Sequence, residues 1–174
     1  MHTQLIDTGI HSRDVGNVLA AIIAASSRPL TAILQDLSGA ELSIKILADG
    51  ERPLNDRERF RMAADGIARC RWRTGLLVAG SGVVAASVSL VWLPVRLPFD
   101  ACRELDAGME PAGTILGRLG MRRQDRQAMA TRGMEDVTGA DAAVRSTAVL
   151  VVDGQAVGVA DECVTREFAE SLAG

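Results

Sequence analysis

The chain has 174 residues, 48% of them apolar and only 3% aromatic, which is enough sequence for one folded domain with a core of small aliphatic side chains. Its formal net charge is −3 and its isoelectric point about 5.4, so the composition argues against a nucleic-acid-binding surface. The amino-terminal residues lack a basic region followed by an apolar stretch and a cleavage site, and we therefore expect a cytoplasmic protein.

Two helices and one strand are predicted near the start of the chain. Residues 13–26 carry apolar side chains at helical spacing, and Pro29 ends that segment. A shorter helix is expected over 30–37. Residues 41–48 alternate apolar and polar side chains, which predicts a half-buried strand. The charged residues 49–61 are then interpreted as a connection that could be a mobile loop.

A long uncharged segment follows, and it has two interpretations. Leu76 to Val95 is long enough to cross a bilayer as a helix. However, Gly80-Ser81-Gly82 interrupts it, and Pro94 stands near its end. We therefore favour a hairpin of two buried strands over 67–79 and 83–93, with no membrane contact.

The second half of the chain is predicted to hold two short helices and a closing hairpin. The helices are expected within 98–108 and, after a turn, within 110–120. Residues 121–140 are interpreted as strand or loop, with a helix as the alternative. Asp153-Gly154 is a strong two-residue turn signal for the last hairpin, and a frayed helix is expected from Thr165 onward. This order of elements indicates an α+β fold with an antiparallel sheet.

The cysteine and histidine content gives no indication of a metal or cofactor site. Cys70, Cys102 and Cys163 are an odd number without paired spacing, and we expect reduced, buried thiols. Both histidines, His2 and His11, lie in an amino-terminal segment that we expect to be frayed. Metal binding and histidine-based catalytic triads are therefore not expected.

Arg73 is the first candidate functional residue, because it begins a hydrophobic strand. Side chains alternate along a strand, so Arg69, Arg71 and Arg73 share one face. For Arg69 and Arg71 a solvated sheet edge explains the charge. Arg73 is followed on its face by Gly75 and Leu77, which places it at the mouth of an interior space. An exposed edge charge is the alternative interpretation.

Glu162 is the second candidate, because it ends a strand whose face is built from very small residues. Such faces either pack closely against a helix or line a cavity. A guanidinium and a carboxylate at two ends of a cavity suit a small ligand with a carboxylate and an opposed oxygen. An exposed position at a strand end is the alternative for Glu162. The small residues are Ala156, Gly158 and Ala160 on the last strand, and Ala85, Ser87 and Ser89 on the middle one.

Four short segments follow one another in a characteristic order between residues 29 and 165. They are PLTAIL at 29–34, RTGLL at 73–77, EPAG at 110–113 and DGQAVGVADE at 153–162. Together they resemble the chorismate pyruvate-lyase family, especially its divergent actinobacterial members. The resemblance implies a single domain over 1–174, in which a helix within 1–28 precedes an antiparallel sheet. Helices on one side of that sheet would enclose a ligand cavity beneath two helical flaps.

The resemblance also implies an activity, namely elimination of pyruvate from chorismate to leave 4-hydroxybenzoate, without a metal or cofactor. Arg73 would bind the ring carboxylate, and Glu162 would act as general acid on the departing ether oxygen. The backbone N–H of Ala112 would donate to the oxygen that becomes the phenol, and Leu30 would supply a main-chain contact near the carboxylate. The implied substrate-binding set is Leu30, Thr31, Ala112, Gly113, Ser87 and Arg145.

The chain also departs from the family pattern. Ala112 stands where the family has Leu, and Ala156 stands where it has Pro. Ser87 stands where some members have a second Arg, and Arg71 or Arg145 could replace that group. The smaller residues could also mean a wider pocket for a different substrate.

Three functions remain open at this stage. The first is a lyase that acts on chorismate or a close relative, with a small anionic molecule as its substrate. The second is a non-catalytic domain that senses a small aromatic acid; a related fold serves as the effector-binding half of certain bacterial transcription regulators. The third is a repurposed enzyme for another elimination or a cyclisation. The residues before the first predicted strand contain no basic recognition helix, and no nucleic-acid partner is expected.

Overall fold

A six-stranded antiparallel sheet forms the centre of the protein. The computed structural model describes residues 12–173, with side chains from residue 15 onward. The predictions for His2 and His11 lie outside the described residues. The spatial order of the strands is β1-β2-β3-β6-β5-β4. In chain order they are β1 Leu42–Pro53, β2 Arg69–Ala79, β3 Val84–Trp92, β4 Arg122–Ala130, β5 Ala142–Val152 and β6 Gln155–Thr165.

Six α-helices connect or flank these strands in the described part of the chain, together with a 3-10 turn over Pro94–Arg96. Each longer helix presents apolar side chains at helical spacing, as α1 does with Val15, Leu19 and Ile23. The helices are α1 Ser12–Ala25, α2 Leu30–Ser38, α3 Asp56–Arg61, α4 Phe99–Ala107, α5 Ala112–Arg118 and α6 Arg166–Ser171.

Two hydrophobic clusters lie side by side on one face of the sheet. The first packs α1, α2 and α6 on the sheet, with fully buried Ile23 and Leu34 at its centre. The second packs α4 and α5 on the sheet, with fully buried Leu105 and Leu116. Since each buried aliphatic side chain contributes about 1.5–3 kcal/mol, these clusters stabilise much of the fold. Residues of both clusters line the cavity described below.

A third cluster covers part of the opposite face of the sheet. Cys70, Val91 and Val149 point to this side, and Leu54 and Met62 from the segment around α3 pack on them. The predicted fold class, an α+β domain with an antiparallel sheet and helices enclosing a cavity, is confirmed. The segment around α3 is an addition to the predicted one-sided arrangement.

The charged segment 49–61 is more ordered than the predicted mobile loop. β1 continues to Pro53, and α3 follows directly. Asn55 and Glu58 form a reciprocal capping box at the start of α3, a signal that the sequence carries in its Asn-x-x-Glu spacing. The charged side chains of β1 also find partners on the neighbouring strand, as Glu51 does with Arg69. Cross-strand pairing therefore orders this segment despite its polarity.

The two hairpins follow the sequence prediction. Leu76 to Val95 lies mainly in the β2–β3 hairpin, and none of the helices within residues 12–173 is long and apolar enough to span a membrane. At the closing hairpin, Asp153 has φ 49° and Gly154 has φ 77°, the left-handed pair that a type I′ turn requires.

The structure also bears on three further predictions, which concern the segment 121–140, helix α6 and the cysteines. The ambiguous segment 121–140 forms β4 and then a loop. Helix α6 is packed rather than frayed, because Phe168 is buried and the Thr165 hydroxyl caps the helix. All three cysteines are free, but only Cys70 is fully buried.

Candidate functional site

A cavity of about 50 Å³ lies between the sheet and helices α2 and α5. Its walls are mostly apolar, with side chains such as Leu77, Val88 and Leu90 from the central strands. The starts of α2 and α5 form its roof, and Leu30, Thr31, Ala112 and Gly113 are among its lining residues. Four polar side chains line it, those of Thr31, Arg73, Arg123 and Glu162.

The roof is held closed by a tight contact between the two helix starts. A β-carbon on Gly113 would lie 3.0 Å from the Thr31 hydroxyl oxygen and 3.1 Å from the Pro29 Cβ. The glycine therefore allows α5 to approach α2 closely. Pro29 and Pro111 precede these helices, and neither helix has a side-chain cap. The first N–H groups of both helices are consequently free of side-chain acceptors at the cavity roof.

Arg73 is buried on the cavity wall, with 5% of its surface exposed. Its Nη2 donates to Asp49 Oδ2 at 3.0 Å, and its guanidinium carbon lies 5.6 Å from the centre of the Trp92 ring. A cation over an aromatic face is attracted by the ring quadrupole. These contacts hold the guanidinium in one place and keep its charge partly neutralised.

A closed triangle of hydrogen bonds joins Arg123, Glu162 and Ser146. Arg123 Nη2 donates to Glu162 Oε2 at 2.5 Å and to Ser146 Oγ at 2.8 Å. The Ser146 hydroxyl in turn donates to Glu162 Oε2 at 2.7 Å. Since Arg123 is only 1% exposed and Glu162 only 7%, this is an ion pair removed from water. Such a pair persists only with good geometry and further hydrogen bonds, and the triangle supplies both.

Both arginines retain buried N–H groups without a protein acceptor. Among residues 12–173, no acceptor is within hydrogen-bonding distance of Arg73 Nε or of Arg123 Nε and Nη1. A buried donor without an acceptor costs about 1–3 kcal/mol, and more when it is charged. The site therefore has unused capacity to donate to an acceptor oxygen.

The strand register sets the distance between the two ends of the site. Glu162 pairs with Val88, Val88 pairs with Gly75, and Gly75 follows Arg73 by two residues. The backbones of Arg73 and Glu162 are thus separated by about 10 Å across the sheet and about 7 Å along it. Because both residues point to the same face, their long side chains converge across the cavity floor.

Burial also shifts the acidity of the site. Removal from water raises the pKa of the Glu162 carboxyl, whereas the Arg123 guanidinium and the Ser146 hydroxyl act in the opposite direction. Elsewhere, the described residues contain no group of three or more His, Cys, Asp or Glu side chains that could hold a metal ion.

Ser87 and Arg145 do not line this cavity. Ser87 is adjacent to cavity-lining Val88 on β3, so alternation directs it to the opposite face. The side chain of Arg145 is half-exposed and lies 3.7 Å from Asp161. Asp161 directly precedes Glu162, which lines the cavity, so alternation directs Asp161 and its partner Arg145 to the opposite face. Neither residue therefore takes the place of a second arginine. Arg71, the other candidate, is paired with Asp106 at 3.1 Å.

Ala156 also leaves the face that simple alternation predicts. A register shift between Leu150 and Val151 of β5 falls opposite the start of β6. Ala156 consequently packs with the cluster on the other side of the sheet, whereas Ala160 and Glu162 line the cavity. A single bulge is enough to move a side chain across the sheet.

Two further residues of the site, Arg123 and Ser146, were not predicted from the sequence. Arg123 lies in the polar run Arg122 to Arg126, where nothing in composition separates it from its neighbours. The one available signal is its position two residues after Met121, which is buried and lines the same cavity. Ser146 pairs directly with Glu162 across β5 and β6, so the pairing of strands was needed to find it.

Comparison with known proteins gives similar folds without a sequence match. No protein-family model and no curated protein sequence matches the chain. The structure of PhnF from Mycobacterium smegmatis superposes with a TM-score of 0.57 at 12% identity, over 78% of this chain and 63% of that one. The effector domain of the same PhnF gives 0.56 at 14% identity, over 79% and 91%. A GntR-family transcriptional regulator from Bacillus cereus gives 0.51 at 13% identity, over 74% and 94%.

These similarities establish the fold and correct the predicted activity. The chain has the chorismate lyase-like fold of GntR effector domains. It spans 63% of the length of that PhnF chain. The prediction of a carbon–oxygen lyase is wrong, because the similar structures are domains of transcriptional regulators rather than of lyases. The expectation that the protein converts chorismate to pyruvate and 4-hydroxybenzoate is wrong for the same reason.

The buried ion pair can be tested by removing one partner and then both. Arg123→Met leaves Glu162 buried without its counter-charge, so we expect a loss of about 3–5 kcal/mol in the free energy of unfolding at neutral pH. In the double variant Arg123→Met/Glu162→Met, we expect a smaller loss than in Arg123→Met alone. Chemical denaturation measures both. Arg122→Met, on the exposed neighbour, is the matched control, and strictly additive losses would contradict the coupling.

The acidity of Glu162 can be tested through the pH dependence of stability. Its folded-state pKa lies above the ordinary value of 4.5, so the folded protein holds this proton more tightly than the unfolded chain. Stability therefore falls as pH rises from about 4.5 through the folded pKa. Glu162→Gln should lose this component, so its stability relative to the wild type should rise over that range. Parallel curves would contradict the shift, and exposed Glu41→Gln is the control.

Proposed function

We propose that this domain is a non-catalytic sensor that binds a small molecule with an acidic group in the cavity beneath α2 and α5. One observation carries the proposal. Arg73 and Arg123 are buried beside the same apolar cavity, and each keeps N–H groups that no acceptor among the described residues takes up. An acceptor-bearing ligand would satisfy these donors, and the cost of leaving them unpaired would become part of its binding free energy.

The charges and the walls of the cavity favour a particular class of ligand. Arg73 is paired with Asp49, and Arg123 is paired with Glu162, so the charges of these four side chains sum to zero. A ligand with one acidic group suits this balance better than a multiply charged one. The apolar walls suit an apolar body, and the small volume limits its size. Small carboxylic acids are the class that we propose; an acid of the size of acetate suits the cavity as it stands, whereas an aromatic acid requires α2 and α5 to move apart.

The position of Glu162 favours binding over chemistry. A general acid must offer its proton to a substrate atom. Here Oε2 of Glu162 already accepts from both Arg123 and Ser146. In this proposal Glu162 fixes the guanidinium of Arg123 for a ligand.

The similarity to the effector domain of PhnF supports the same proposal. At 14% identity it bears on the fold alone, and the residues that would select a ligand are this chain's own. The sensor function therefore rests mainly on the cavity, with the neighbouring structures in agreement.

A panel of carboxylates of increasing size tests the function. Acetate, benzoate and 4-hydroxybenzoate would be titrated into the protein by calorimetry, with thermal stabilisation as the second readout. We expect saturable binding of at least one of them. Arg73→Gln should weaken it roughly 10- to 100-fold, since a hydrogen bond to a charged group contributes about 1.5–3 kcal/mol.

The matched control is Arg69→Gln, which changes an exposed arginine on the same face of the same strand. It should leave the affinity unchanged. Equal losses in the two variants would show that overall charge rather than the cavity attracts the ligand. Absence of binding across the whole panel would overturn the proposed function.

A further inference from the structure

Asp49 faces Arg73 because of an irregularity in β1. The register between β1 and β2 shifts between Ile46 and Ala48, and Asp49 then pairs directly with Arg73. Side chains of directly opposed residues in antiparallel strands share a face. The shift therefore brings a carboxylate to the cavity side of the edge strand, where the alternating pattern of 41–48 gave no reason to expect one.

Arg73 has little freedom to leave this partner. The Trp92 ring lies beside its guanidinium. On another side stands Gly108, the left-handed residue that ends α4, and a β-carbon there would lie 3.5 Å from both Nη atoms. The guanidinium is thus confined to a narrow space, and Asp49 occupies its Nη2.

The two carboxylates that pair with the cavity arginines differ in their access to water. The side chain of Asp49 is 37% exposed, whereas that of Glu162 is 8% exposed. If Arg73 exchanges Asp49 for a ligand, water can hydrate the released Asp49 carboxylate, so this exchange of partners costs little free energy. If Glu162 released Arg123, a buried charge would be left without a partner, which is expensive. Arg73 is therefore the exchangeable arginine, and Arg123 is the fixed one.

We propose that Asp49 is a specificity-determining residue of the cavity, whose carboxylate competes with the acidic group of a ligand for Arg73. The inference rests on the proposed function, because it needs a ligand that binds there. An acidic ligand can bind Arg73 only if it displaces the Asp49 carboxylate or shares the guanidinium with it. A neutral ligand of the same shape leaves the Asp49–Arg73 pair intact and meets no such competition.

The test compares an acid with its neutral isostere on two matched variants. Benzoate and benzamide would be titrated calorimetrically into the wild type, Asp49→Asn and Glu51→Gln. Asp49→Asn removes the competing charge, so benzoate should bind roughly two- to fivefold more tightly, the range of a partly exposed ion pair. Benzamide should be unaffected. Glu51→Gln removes a carboxylate that pairs with exposed Arg69 on the same two strands, and it should change neither affinity.

Each outcome decides between the inference and the function on which it rests. Tighter benzoate binding in Asp49→Asn alone supports competition at Arg73. Equal or weaker benzoate binding in Asp49→Asn, with normal binding by the wild type, overturns the inference and leaves the function intact. Equal tightening in Glu51→Gln also overturns it, because net charge then explains the effect. If neither benzoate nor benzamide binds to any of the three proteins, the inference fails, and the panel of carboxylates described above decides on the proposed function.

A second variant tests whether the effect comes from loss of the Asp49 carboxylate rather than from the amide that replaces it. Asp49→Ala removes the carboxylate without leaving an amide that could still accept from Arg73. It should tighten benzoate binding at least as much as Asp49→Asn, provided that both variants unfold cooperatively like the wild type. In an Arg73→Gln background the Asp49→Asn change should have no effect on benzoate. A tightening that persists there would contradict competition for Arg73.

Discussion

The ion pair between Arg123 and Glu162 is the interaction on which the cavity depends. It joins β4, at one edge of the sheet, to β6 near the centre, and Ser146 on the strand between them completes the triangle. Two charges taken out of water must satisfy each other, so the pair fixes the side chains on the cavity floor. The same constraint keeps the Arg123 guanidinium beside an apolar space. Arg123 is also anchored through its backbone N–H, which donates to the Ser27 carbonyl just before α2.

The roof of the cavity is tied to the same residues. The end of α1 contacts β4, because Arg126 donates to the Ala24 carbonyl at 2.6 Å. A few residues later, Leu30 and Thr31 enter the cavity roof. The site therefore consists of a rigid floor, a roof that rests on close contact at Gly113, and an exchangeable arginine near the edge strand. This division suits reversible binding of a small ligand, because the floor is fixed by buried hydrogen bonds and the arginine near the edge strand can exchange partners.

Much of the fold could be predicted from the sequence, and the reasons for the misses are physical. Alternation along β2 and β6 identified Arg73 and Glu162 as candidates, and both line the cavity; the Asp153-Gly154 turn was sufficient to align the last hairpin. Ser87 was misplaced because its family position and the small side chains on its face of β3 both suggested a cavity, whereas the other face, with Val88 and Leu90, lines it. Arg123 and Ser146 could not be identified, because their roles arise from pairing between distant strands. Bulges changed the face of Ala156 and brought Asp49 to Arg73, and single sequences give little indication of a bulge.

The most direct test of the account is a crystal structure of the protein with benzoate bound. We expect the ligand between the sheet and helices α2 and α5, with its carboxylate within hydrogen-bonding distance of a guanidinium nitrogen of Arg73 or Arg123. The Arg123–Glu162 pair should remain intact. A carboxylate bound elsewhere on the protein, or a ligand in the cavity that contacts neither arginine, would contradict the account.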